Sequence, residues 1–285
     1  MAATPSTDRW KALDFAAPPA DAAEPDEPVL VDYSSDDRVA VITLNRPHAD
    51  NAITTEMGAL LTEIVESIAV RTSLRAVILT GAGDRAFSVG SDLRQRKNMT
   101  KEGWLRQRQD FDRTLYTVRQ LRKPIFAAVN GVAYGGGSEV AQSTDFIIAS
   151  DNATFGQPEA MIGLSAGGGS PVFLPRVLPP GKALQMLMTG DPISAEEAHR
   201  LGMVNELTEA GGALDAALAL ADRIAYNAPL AVQASLRLMA EFAEIDDDEA
   251  FKKSQEELLV LTATEDFGEG INAFLEKRDP VWKAR

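Results

Sequence analysis

IFAAVNGVAYGGGSEVAQSTDFIIASDNATFGQPEAMIGLSAGGG, residues 125–169, is the stretch whose reading decides the fold. It opens with an apolar run, Ile125 to Val129, that reads as a buried strand and breaks at Asn130 and Gly131 before three successive glycines, Gly135, Gly136 and Gly137. Ser138-Glu139-Val140-Ala141 then suits the first turn of a helix, which leaves the glycine N–H groups bare where a helix N-terminus favours negative charge. In outline that is an oxyanion site. Further on, Phe155-Gly156-Gln157-Pro158-Glu159 places a second carboxylate after another extended run, again close to glycines, Gly167 to Gly169. Two glutamates beside an anion-stabilising backbone suit acid–base chemistry at a polarised carbonyl.

Upstream of this stretch the periods are clear. Val29 to Tyr33 and Val39 to Leu44 are strand-like and flank the polar turn Ser34-Ser35-Asp36-Asp37, which predicts an antiparallel hairpin. Met57, Leu60, Leu61, Ile64 and Ile68 recur at helical spacing after Thr54 and Thr55, and Arg75 to Thr80 (RAVILT) reads as a buried strand. Strand, helix, strand is the pattern of a right-handed parallel crossover, and it returns through Ile125 to Val129 and Phe146 to Ala149. The expected class is α/β.

Ala86-Phe87-Ser88-Val89-Gly90-Ser91-Asp92-Leu93 lies between two of these strands; by itself it reads as a loop entering a helix with Asp92 as the cap. Residues 94–123 then carry ten Lys or Arg against three acids. That excess is either an attractive field for a polyphosphorylated ligand or a solvated helix face, and the composition leaves both open.

Downstream, Leu174-Pro175-Arg176-Val177-Leu178-Pro179-Pro180 predicts a break, and Lys182 to Met188 a helix ended by Thr189-Gly190-Asp191. Ser194-Ala195-Glu196-Glu197 reads as a capping box with Glu197 reaching back to the serine amide, and Gly202 stops that helix before a short strand, Met203 to Leu207. From Leu214 the pattern is helical: Leu214 to Tyr226, Leu230 to Phe242, Glu249 to Leu261 and Gly270 to Lys277.

The 285 residues, 45% hydrophobic and 25% charged, are ordinary globular material with ample length for a sizeable core. A formal charge of −14 argues against broad nucleic-acid or anionic-membrane binding. There are no cysteines, which excludes disulfides and thiolate chemistry, and no apolar run approaches the ~20 residues of a membrane span, so a cytoplasmic protein is the expectation. Residues 1–28, rich in Ala, Pro, Asp and Glu, read as a flexible extension or arm with Trp10 as its docking residue; one arginine among several acids fits a transit peptide poorly. The remaining chain divides as 29–212, the α/β core, and 213–285, a helical region.

The GGGSE and QPE segments together resemble the crotonase (enoyl-CoA hydratase/isomerase) superfamily, whose members carry a GGG-x-E element and, in the hydratases, a second glutamate in a QPE element. Residues 86–93 are similar to its F-x-x-G-x-D-L element, and the resemblance runs from about Val29 to the C-terminus. It implies a ββα-type spiral core with a C-terminal helical region that packs into a homotrimer or homohexamer. It implies an acyl-CoA thioester as substrate and the reversible hydration of a trans-2-enoyl-CoA to a 3-hydroxyacyl-CoA. No metal or redox cofactor is implied, coenzyme A being part of the substrate. On the same alignment the amides of Ser91 and Gly136 hold the thioester oxygen, Glu139 orients and deprotonates water, Glu159 delivers the proton to Cα, and Gly167 helps position water or the acyl group. Ser88 and His48 fall at coenzyme A contacts, while Phe274 and Lys277, in Ala273-Phe274-Leu275-Glu276-Lys277-Arg278, match residues that approach the adenosine and 3′-phosphate of coenzyme A on a neighbouring subunit.

The C-terminal half looks closest to the carnitinyl-CoA dehydratase branch, through Glu276 to Lys283 and Met188-Thr189-Gly190. Carnitinyl-CoA dehydration and enoyl-CoA isomerisation are therefore alternative activities, and a scaffold or RNA-binding member of the fold is the non-enzymatic one. Two departures stand out. His48 stands where a coenzyme A-contacting lysine is usual, and Ser165-Ala166-Gly167-Gly168-Gly169-Ser170-Pro171 replaces the common P-G-A-G-G, with Phe173 at the place of an arginine. A non-standard acyl pocket is expected.

Overall fold

The structure, a computed structural model, describes residues 24–97, 99–242 and 245–285. Trp10 and most of the N-terminal extension lie outside the described residues. The last residues of that extension are tied down: Glu24 grips Arg46 with both carboxylate oxygens, each at 2.6 Å, and Asn45 donates to the carbonyls of Glu27 and Pro28.

The expected hairpin is present, β1 (Val29–Tyr33) pairing antiparallel with β2 (Val39–Leu44). The chain crosses over through α1 (Thr55–Val70), capped by the Thr54 hydroxyl on Met57 N, to β3 (Ala76–Gly81), parallel to β2. From there the chain repeats one step. A long strand enters the main sheet, a short strand enters a second sheet, and a helix returns. The first step is β3, β4 (Ala86–Ser88), then α2 (Leu93–Lys97) and α3 (Lys101–Arg119); the second is β5 (Ile125–Val129), β6 (Val132–Tyr134) and α4 (Gly136–Gln142). The third is β7 (Phe146–Ser150), β8 (Thr154–Gly156), the 3-10 turn Pro158–Ile162, α5 (Ser170–Val177) and α6 (Pro180–Thr189). After β9 (Ile193–Ser194), α7 (Ala195–Leu201) and β10 (Glu206–Thr208), the main sheet has the order β1-β2-β3-β5-β7-β10 and the second sheet β4-β6-β8-β9. This ββα spiral brings successive strand-to-helix turns side by side.

All six residues of β3 and all five of β5 are buried, because both faces of the main sheet are covered. One face meets α1, α3 and the second sheet around Leu61, Phe87, Phe111 and Phe155. The other meets α8 (Ala213–Ala225), whose Ala213, Ala217, Ala221 and Ala225 recur every fourth residue and let the helix lie flat over Ile78, Phe126 and Ile148. The first of the C-terminal helices is therefore packed as a layer of the core. Beyond it run α9 (Pro229–Phe242), α10 (Asp247–Thr262) and α11 (Glu265–Glu276). Among the described residues no helix is long and apolar enough to cross a membrane.

Four local expectations are corrected. The last strand begins at Glu206, because Met203 and Val204 turn into the core and the Asn205 side chain accepts from Ile147 N. The last helix begins at Glu265, five residues early, since the Thr264 hydroxyl caps Phe267 N and two glycines do not prevent the helix. Helix α5 continues through Pro175 to Val177, so the break is shorter than Leu174 to Pro180. Ser194 does cap Glu197 N, but the Glu197 carboxylate pairs with Lys182 at 2.9 Å, so only half of the capping box forms.

Candidate active site

The turn after β4 and the turn after β6 touch backbone to backbone. Gly90 has φ +83°, and a Cβ there would lie 2.6 Å from Gly136 N; one on Gly137 would lie 2.0 Å from the Ser88 carbonyl oxygen. Only glycine permits this approach. The turn after β4 is stapled from below: Ile53 N donates to Gly90 O at 2.7 Å, Asp92 N to Ile53 O at 3.0 Å, and Asn51 Nδ2 to the carbonyls of Ala82 and Ala86. Arg46, 4% exposed, holds Asp92 Oδ2 at 3.2 Å, and Asp92 caps α2 by accepting from Arg94 N. Asn45-Arg46-Pro47 and Asn51 thus build the turn that presents Ser91. Among the described residues neither Ser91 N–H nor Gly136 N–H has an acceptor in the protein, and both residues line one cavity of about 370 Å³.

Both glutamates line the same cavity. Glu139, in the first turn of α4, is 2% exposed, and its Oε1 accepts from Gly168 N at 2.5 Å. Burial pushes its carboxyl above the ordinary value; the N–H groups of Gly168 and Ser170 and the Arg108 cation act against that shift. Glu159 follows Gln157 and Pro158 into the 3-10 turn. Its carboxyl is pushed up to about 7, first by burial and then by the neighbouring Glu139 charge, with Arg108 and Arg96 opposing. Gln157 is fully buried; with its amide oriented to satisfy both ends, its nitrogen donates to both Glu159 oxygens at 3.2 Å while its oxygen accepts from Ser170 Oγ at 2.7 Å.

Leu93, Trp104, Phe111, Ile162 and Leu164 form the apolar wall, with Gly167 at one end beside Arg108. The cavity therefore offers two open amides, two carboxylates of raised pKa and an apolar surface. That set can hold a carbonyl oxygen, stabilise negative charge developing on it, and move protons at adjacent carbons.

Of the residues singled out in the sequence, Ser91, Gly136, Glu139, Glu159 and Gly167 are brought together here. Ser88 is fully buried, its hydroxyl donating to Asn51 O and accepting from Gly90 N, so its side chain holds the turn. His48 lies in the 3-10 turn Pro47–Ala49, 3.6 Å from Glu24. Phe274 and Lys277 sit at the end of α11, away from this cavity, with the ammonium 5.1 Å from the ring centroid and the ring 73% exposed. The basic stretch divides: Arg96 and Arg108 line the cavity, Arg113 pairs with Glu66, and Lys123 is buried, donating to the carbonyls of Ala69 and Arg71 at the C-terminal end of α1. Arg96 and Arg108 are legible in the sequence only as members of the basic stretch, and Gln157 and Gly168 only as parts of their motifs, none with a role of its own. For Arg108 a signal exists, since Gln107, Phe111, Thr114, Leu115 and Val118 mark at helical spacing the buried stripe that it flanks.

A family model described as enoyl-CoA hydratase/isomerase matches residues 34–285. A short-chain-enoyl-CoA hydratase of Clostridium acetobutylicum is 38% identical over 246 residues, 85% of this chain and 92% of that protein. A carnitinyl-CoA dehydratase of Escherichia coli K12 is 39% identical over 254 residues, 86% and 94%. Among solved structures, an enoyl-CoA hydratase from Bacillus anthracis superposes with a TM-score of 0.88 at 33% identity, covering 91% of this chain and all of that one. Together with the ββα spiral and the two glycine turns that meet at Gly90 and Gly136, these likenesses establish that the chain belongs to the enoyl-CoA hydratase/isomerase family.

Proposed function

We propose that the chain adds water across the double bond of a trans-2-enoyl-CoA and, by reversal, removes it from the 3-hydroxyacyl-CoA. The observation that carries the reading is the pair of carboxylates, Glu139 and Glu159, facing one cavity that also presents the Ser91 and Gly136 amides. The thioester oxygen accepts from those two N–H groups. Glu139 takes a proton from water as the water oxygen bonds to Cβ, and the double-bond electrons move onto the thioester as an enolate. Losing one such amide donor typically costs about 3 kcal/mol. Glu159, at about 7, keeps a proton near neutral pH and delivers it to Cα. The two carboxyls end with their protonation states exchanged, and transfer through solvent restores them. The reaction so written consumes only the thioester and water, with no further cofactor. The Escherichia coli relative is named for the dehydrating direction, which the same groups serve by microscopic reversibility.

Two exposed features support a trimer or a dimer of trimers as the working form, and the cytoplasm is its proposed compartment. The apolar groove of α9, α10 and α11, lined by Leu230, Leu258, Phe267, Ile271 and Phe274, has no cover among the described residues, and Lys277 beside Phe274 stands clear of the active-site cavity.

The test is hydration of crotonyl-CoA by purified protein and its Glu139→Gln and Glu159→Gln variants. Each single variant loses on the order of 10² to 10⁴ in rate, and the double variant much less than the product, because the pair acts as a unit. Glu159→Gln within a few-fold of the parent while Glu139→Gln is dead would replace this reading with one-base double-bond isomerisation.

A further inference from the structure

We infer that the acyl group received by this cavity carries a second carboxylate, bound by Arg96 and Arg108. The inference rests on the enoyl-CoA reading above and specifies its substrate class as a short dicarboxylic enoyl-CoA.

An unsubstituted enoyl chain needs only an apolar wall, which Leu93, Trp104, Phe111, Ile162 and Leu164 already supply. Two guanidinium groups in that wall carry a desolvation cost that a neutral chain would never offset. Arg96 is the sharper case. Its Nε donates to Gln107 Oε1 at 2.8 Å and its Nη2 to Ser91 Oγ at 2.9 Å, both neutral acceptors. Among the described residues no carboxylate lies within ion-pair distance of it, whereas Arg46, Arg71, Arg113, Arg237 and Arg278 each have one. Arg96 therefore has no carboxylate in direct contact, the Glu159 charge acting on it only at longer range and not when Glu159 holds its proton, and its guanidinium keeps the planar form that takes a carboxylate through two hydrogen bonds.

Arg108 pairs with Asp112 on its own helix, and that aspartate is half exposed, so the pair is screened. The guanidinium lies over Gly167, its Cζ 3.5 Å from where a Cβ would stand; the missing side chain leaves that face open to the cavity. Both cations also favour the ionised form of Glu159, a role that discrimination between a dicarboxylic and a monocarboxylic substrate separates from binding a second carboxylate.

The position sets the chain length. Arg96 binds the hydroxyl of Ser91, the residue whose amide faces the thioester, so the second anion lies within a few bonds of the reacting carbons. Coenzyme A phosphates are kept far from the thioester by the pantetheine arm and do not reach this cation.

The experiment compares kcat/KM for trans-hex-2-enedioyl-CoA and trans-hex-2-enoyl-CoA, equal in length and different only in the terminal carboxylate. The wild type favours the dicarboxylic substrate at least tenfold, and Arg96→Met lowers that ratio by about 10- to 100-fold. Arg108→Met, which leaves the bond to Ser91 in place, lowers it as well. Equal kcat/KM for the two substrates in the wild type, or a ratio unchanged in both variants, would overturn the inference; the second result would assign the arginines to tuning Glu159. If neither thioester is hydrated, the hydratase reading has failed instead. The anion site is then decided by calorimetry with adipyl-CoA and hexanoyl-CoA, where tighter adipyl-CoA binding supports it and equal affinities overturn it.

Discussion

Gly168 stands so close to Glu139 that a Cβ on it would lie 2.2 Å from Oε2, while its own N–H donates to Oε1 at 2.5 Å. One residue thus leaves the room and supplies the donor that aim the carboxylate into the cavity. The loop from Ser165 to Pro171, which departs from the family pattern, holds Glu139 through backbone alone. No side chain of that loop is asked to do it.

Gly168→Ala should therefore displace Glu139 and lower kcat by roughly 100-fold, the scale of a misplaced catalytic group. The overpacked site should cost about 1–3 kcal/mol in stability. Steady-state kinetics and a thermal melt on the same preparation check both; an intact kcat would mean that Glu139 works from a second position.

The pH profile of hydration should be bell-shaped. Glu159 must hold a proton to deliver it, so activity falls as pH rises through about 7; Glu139 must be ionised, and its raised value places the acid limb above the ordinary carboxylate range. Glu159→Gln should remove the basic limb. A profile flat from neutral to alkaline pH contradicts Glu159 as the donor.

Stability should also depend on pH, in the opposite direction from the usual ion-paired carboxylate. Glu159, at about 7, and Asp145, a solvent-exposed residue whose carboxylate accepts from Ile125 N and which is pushed up to about 6, both lie above their unfolded values. The native state keeps protons that the unfolded chain has released, so stability falls as pH rises from about 4 to 7. Glu159 contributes on the order of 1–3 kcal/mol to that fall, and the exposed, solvent-screened Asp145 less. Denaturant midpoints across this range should flatten in an Asp145→Asn, Glu159→Gln double variant.

Gln157→Leu removes the two donors on the Glu159 carboxylate and the acceptor of Ser170 Oγ, all at a fully buried position. It should destabilise by about 1–3 kcal/mol. It should also move the basic limb of the rate profile upward, because the ionised carboxylate loses its hydrogen bonds. A limb that stays in place would mean that Gln157 only fills space.

Light scattering at micromolar concentration should give a trimer or its multiple, covering the groove at Phe274. Lys277→Ala should weaken coenzyme A more than 3′-dephospho-coenzyme A, by about 1 kcal/mol. A monomer that turns over substrate, or equal weakening of both ligands, contradicts a site completed by a neighbour.

The sequence by itself determined the strands of the main sheet and the family. RAVILT and IFAAV are apolar without alternation because each strand is buried on both faces, and GGGSE and QPE each lie within one local turn, where spacing alone sets the geometry. Tertiary structure alone decided which polar groups meet. Gly168 reaches Glu139 across 29 residues, and the contact exists only because α4 and the loop before α5 are stacked by the spiral. The same holds for the basic stretch, whose composition is compatible with either a solvated face or a ligand site. Docking of α3 on α1, where the Thr62 and Thr114 hydroxyls meet at 2.9 Å, sets the helix phase that turns Arg108 inward and leaves Arg113 to Glu66. Period reveals which face of an element is buried, because burial is a property of the element. Which charge faces which depends on the angle and register at which elements pack, and those are set by the whole core.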